Sequence, residues 1–132
     1  MTTINLTLQS EIFQMAGEIE ELEKKRNYAT NSKELTDLYT NLTNIGQRNL
    51  PRITQIINQY GWPKNDLIGE EGSRHFCAVI KGSCNIDLIR KALQVLRLAI
   101  DRKEANPALE KSLALIVERD IRIETSEEEA TC

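Results

Sequence analysis

His75 and Cys77 stand two residues apart in the stretch GEEGSRHFCAVIKG, and they are the first side chains of this 132-residue chain to suggest chemistry. A thiolate activated by an imidazole needs the two groups to meet. Residues two apart on a helix point about 200° from each other, so local geometry opposes a Cys–His nucleophile. A zinc site would need about four ligands. His75, Cys77 and Cys84 offer three, at spacings that fit no common pattern. Carboxylates are more plentiful: Glu70 and Glu71 open the same stretch, and Glu118 and Asp120 flank Arg119 further on. Acid–base work needs two carboxyls in a partly desolvated cleft, and both sets read first as surface or helix-start material. GEEGS lacks the Gly-Lys-Ser/Thr ending of a phosphate loop. No metal, no cofactor and no catalytic set is expected from these residues.

The elements that must position them read almost entirely as helix. Leu8, Ile12, Met15, Ile19 and Leu22 alternate in steps of four and three, which places them on one stripe of a helix over about 6–28. Ala29 to Ser32 supply a loop and an N-cap. A second helix carries Leu35, Leu38, Tyr39, Leu42 and Ile45 on one side. Asn49 and Pro51 then offer a cap and a first-turn proline for a third helix bearing Ile53, Ile56, Ile57 and Tyr60. The alternative is one long rod bent at the proline. After Gly61-Trp62-Pro63 comes a short helix ending near Gly82, then the most apolar one, from Asn85 to Lys103, expected to be central. The last helix opens on Asn106 and Pro107. The fold class is all-α: a single-domain bundle of five to six helices over 1–124, followed by a flexible acidic tail over 125–132.

Charge narrows the partners. The formal net charge is -3, and Glu127, Glu128 and Glu129 alone account for it. Nucleic acid is not expected as a partner, because phosphate binding needs a cluster of Lys and Arg. Lys24, Lys25 and Arg26 directly follow Glu20, Glu21 and Glu23, at spacings that favour pairing along one helix. No membrane span is expected, since no segment approaches the ~18 consecutive apolar residues required. MTTINLTLQS has neither a basic start nor an apolar run, so no secretory leader is expected either. Three cysteines without a scaffold spacing suggest reduced thiols and a cytoplasmic setting.

Trp62, the only tryptophan, sits between Gly61 and Pro63, where neither helix nor strand runs comfortably. Gly61 can end one helix, Pro63 bars its resumption, and the indole is expected to fold back over the bundle as a structural anchor.

Tyr60-Gly61-Trp62-Pro63, Ile68-Gly69, the apolar helix Ile86 to Ile100, and Ala114-Leu115-Ile116-Val117-Glu118-Arg119 together resemble an uncharacterised bacterial all-helical domain family of unknown function. The resemblance spans about Asn49 to Arg119 and implies a helical fold but no activity. It also shows departures. Lys81-Gly82 stands where the family pattern has Gln-His, Glu118 replaces an aspartate, and a terminal Tyr-Gly-Thr-Gln is missing. If polar residues form a site in that family, this chain has lost most of it.

The leading expectation is a non-enzymatic protein-binding domain of a bacterial cytoplasm, such as a toxin-neutralising immunity protein or a small adaptor. Its acidic surplus favours a basic protein partner. Glu118 and Arg119 are candidate partner contacts. A second reading makes the chain a carrier or precursor modified at Cys132. A third places a divergent enzyme site near Trp62, Glu70, Glu118 and Arg119. Self-association through the heptad-like first helix is also open.

Overall fold

The computed structural model describes residues 4–83 and 85–126, with side chains through 119. Five helices account for the described secondary structure: α1 Leu6–Asn27, α2 Ser32–Tyr60, α3 Asn65–Gly82, α4 Ile86–Asp101 and α5 Ala108–Ser126. Residues 127–132, with Cys132 and the three-glutamate run, lie outside the described residues, as does Cys84. No described helix is long and apolar enough to cross a membrane.

Four of the five starts are set by an asparagine side chain, and only α3, which begins after Lys64, has no side-chain cap. Asn5 accepts the Leu8 N–H at 3.0 Å, Asn31 the Glu34 N–H at 2.9 Å, Asn85 the Leu88 N–H at 2.9 Å, and Asn106 the Ala108 N–H at 3.0 Å. These bonds occupy donors that the first helical turn leaves without a partner. At α2 the Glu34 carboxylate also reaches back past the cap and accepts the Thr30 N–H at 2.8 Å.

The expected break at Asn49 and Pro51 does not occur; α2 is one 29-residue helix that runs through Pro51. The reason lies in the phase of its apolar stripe. Ile45 before the proline and Ile53, Ile56 and Ile57 after it continue on one buried side. Pro51 and Gln47, the residue whose carbonyl loses its N–H donor, are both exposed, so water can supply the missing bond. Asn49 is therefore no cap but a buried residue inside the helix.

The central helix is α3, not α4 as the apolar count suggests. Among the described residues α3 alone touches all four others. It combines the enclosed Ile68, Phe76, Val79 and Ile80 with small residues at Ser73, which meets Trp62, and at Gly82, which meets Ile19 of α1 and Gly46 of α2. By contrast, α4 keeps an outward face of Lys91, Gln94, Arg97 and Leu98. Gly69 interrupts α3 at φ 76°, ψ 164°, backbone that side-chain-bearing residues rarely adopt. The carbonyls just before this break are taken by α1. Asn5 N–H donates to Leu67 O at 2.7 Å, and Gln9 Nε2 to Ile68 O at 2.8 Å. That stitch fixes the start of α1 against α3. It also helps explain why Leu8, Ile12, Met15 and Ile19 are buried inside this chain.

Candidate functional site

Two regions compete for functional attention: the Trp62 turn and the far end of the α1–α2 pair. At the turn, Gly61 adopts φ 68°, ψ −134° and returns its N–H to Ile57 O at 2.8 Å, ending α2. Pro63 is buried beside it. The Trp62 ring is 3% exposed, stands edge-on to Phe76 with centroids 5.2 Å apart, and donates from Nε1 to Ser73 Oγ at 2.8 Å. Both its apolar body and its polar tip are thus occupied by α3. An indole so enclosed has nothing left with which to meet a ligand.

The remaining candidates sit at the surface. Glu70 is exposed in the first turn after the Gly69 break, and Glu118 and Arg119 are exposed on α5. The side chain of Asp120 is outside the described set. His75 does not meet Cys77. Its Nδ1 bonds the Glu71 carbonyl at 2.7 Å, its Nε2 lies 3.8 Å from Glu20, and its ring stacks edge-on to Phe13 at 4.9 Å. Since a carbonyl only accepts, Nδ1 carries the proton of that bond. Cys77 points instead into the core at 2% exposure, where burial pushes the thiol pKa up, opposed only by nearby Lys81. A thiol held in its neutral form is a poor nucleophile. Native protein treated with a thiol reagent should therefore leave Cys77 unlabelled until denaturant is added, as read by peptide mass spectrometry. Labelling at the rate of a free thiol would contradict this placement. Among the described residues no group of three or more His, Cys, Asp or Glu could hold a metal.

The second region was not legible as a site. From Glu20 to Ile45 the chain forms the last turns of α1 and the first half of α2, yet no residue between Ile19 and Gly46 is buried. This stretch is a helical hairpin that projects from the body as an arm. Its seam of Leu22, Leu35, Leu38, Leu42 and Ile45 is only half-buried, and only Leu42 and Ile45 reach the core. Between the helices runs an open groove of about 400 Å³, with Leu22 and Ile45 as its apolar floor. Glu18, Glu21 and Lys25 of α1 rim it on one side, and Asn41, Asn44 and Arg48 of α2 on the other. Arg48 pairs with Glu18 at its inner end, and Arg52 clamps Glu11 below with bonds of 2.5 and 2.9 Å. These two pairs lace the root of the arm. Tyr28 at the tip is 82% exposed and Tyr39 47% exposed. The sequence stripe containing Tyr39 gave no sign that a third helix would fail to cover it.

The model of a family of unknown function, DUF6624, matches residues 6–127. The chain belongs to that family. The match takes in all five helices, so the arm lies within the DUF6624 region and not only the part that carries Gly-Trp-Pro. No curated protein and no solved structure matches the chain. At the end of α3, Lys81 is exposed and Gly82 faces Ile19, whose Cδ1 would stand 2.8 Å from a Cβ added there. A side chain larger than glycine fits that space only if Ile19 moves. In this DUF6624 chain, close packing of α1 on α3 holds the position.

Proposed function

We propose that this chain is a non-enzymatic protein-binding domain, of the kind that neutralises or positions a partner, as an immunity protein or a small adaptor does. The observation that carries the reading is the arm. A capped hairpin with a half-open leucine seam adds little to the core, and short helices are marginal in water without tertiary support. Such a feature makes physical sense when another surface completes it. The exposed Tyr28 and Tyr39 and the half-exposed Arg48 are of the types that dominate interface energetics, and the leucines between them supply apolar area. The net charge of -3 favours a basic partner through steering. Trp62, the side chain an enzyme site would most want, is enclosed and hydrogen-bonded.

The test uses the full chain as bait in its native host, beside a Leu22→Lys/Leu38→Lys variant. Both leucines lie outside the core cluster, so circular dichroism should show the fold retained. A stoichiometric partner should be recovered by the wild type and lost by the variant. Recovery of no stoichiometric partner would count against a binding domain. Equal recovery by both would move the binding surface away from the arm.

A further inference from the structure

The last described helix leaves one large apolar side chain outside both the arm and the core. Leu113 is buried, and Ala114, Ile116 and Val117 are half-buried against the core, but Leu115 is 52% exposed. At about 100° per residue, Lys111 and Glu118 fall within about 60° of Leu115 on the same outward stripe. Neither has a partner among the described residues.

We propose that this face of α5 binds a second copy of itself, antiparallel, about a two-fold axis at Leu115. The argument is self-complementarity, which a two-fold interface demands and a contact with an unrelated protein does not. Lys111 lies four residues before Leu115 and Glu118 three after it. A two-fold axis at Leu115 therefore sets Lys111 of each copy across from Glu118 of the other, giving two opposite-charge pairs that flank a Leu–Leu contact. This is how antiparallel helices match flanking charges on one side of an apolar seam. On the opposite flank the same operation sets Ser112 against Arg119, so no like charges meet. Ala108 and Ser112 are small, which lets the backbones approach. One helix face is less than a standard interface, so the dimer is a weak and concentration-dependent one.

This surface is separate from the arm, and its test does not depend on any other partner. Sedimentation equilibrium of the full chain over a range of concentrations should show the mass rising from 15.0 kDa towards twice that value. Lys111→Glu places Glu against Glu, and Glu118→Lys places Lys against Lys. Each should weaken the dimer roughly tenfold or more. Mixing the two single variants should restore association, because both flanking pairs become Glu–Lys in the heterodimer. The Lys111→Glu/Glu118→Lys double variant should self-associate like the wild type. A wild type that stays monomeric at every concentration overturns the proposal. So do single variants that dimerise unchanged, or a mixture that fails to recover.

Discussion

Trp62→Ala should lower the free energy of unfolding by about 3–5 kcal/mol, the cost of emptying a large, well-packed aromatic site. Against an ordinary total of about 5–15 kcal/mol, that is a fifth or more. The midpoint of thermal unfolding should fall by roughly 10–20 °C. Two separable effects contribute. The indole body fills space between the end of α2 and the centre of α3, edge-on to Phe76. Its N–H is satisfied only through Ser73, itself 1% exposed. Ser73→Ala keeps the ring but leaves that buried donor unpaired, and should cost about 1–3 kcal/mol. Trp62→Phe keeps most of the ring packing and leaves the Ser73 hydroxyl alone, so it should fall between the two. Urea unfolding of the three variants and of Trp62→Ala/Ser73→Ala forms a cycle. A clear coupling energy is expected, since the residues share one bond. Loss of less than 1 kcal/mol in Trp62→Ala would mean that the turn is not what ties α2 to α3.

How far the sequence discloses this architecture depends on the kind of information each feature needs. Caps at Asn31 and Asn106 are local, and the residue type at the helix start is enough to read them. The buried stripe of α1 is also local, because Leu8, Ile12, Met15 and Ile19 repeat with helical spacing. The single helix through Pro51 is not, since proline chemistry argues for a break and only the continued stripe beyond it argues against one. The arm is less legible still. Leu35, Leu38, Leu42 and Ile45 have the same spacing as the core stripes, and periodicity gives the apolar side of a helix without saying what covers it. The prominence of α4 in the sequence has a similar origin. Apolar content measures how much a helix buries, whereas centrality follows from which helix is narrow enough to be touched on all sides. That is a property of Ser73 and Gly82, small residues that hydropathy scarcely registers.

Gly46 is the sharpest case of such a residue, and it yields the second large expectation. In the sequence it sits where the apolar pattern of α2 weakens and resembles a helix end. In the structure it is a buried position inside α2, pressed against the end of α3. A Cβ added there would lie 2.8 Å from Gly82 O, 3.0 Å from Ser83 O and 3.1 Å from Ser83 Cα. All three are backbone atoms, fixed by the turn in which Ser83 Oγ donates to Ile80 O at 2.6 Å. Alanine in place of glycine should help a helix interior by about 1 kcal/mol. Overpacking against immobile atoms costs about 1–3 kcal/mol and sometimes more. Three backbone contacts put this site at the upper end, so Gly46→Ala should destabilise by about 2 kcal/mol net. Gly82→Ala is the informative control. Its added Cβ also meets an atom at 2.8 Å, but that atom is the tip of Ile19 and can turn aside. Its cost should stay below about 1 kcal/mol once the same helical gain is counted. Urea midpoints at unchanged slope give both numbers. Equal losses would show that the two close approaches relax alike. A stabilised Gly46→Ala protein would show that α2 does not cross α3 at this distance, and the root of the arm would have to be placed elsewhere.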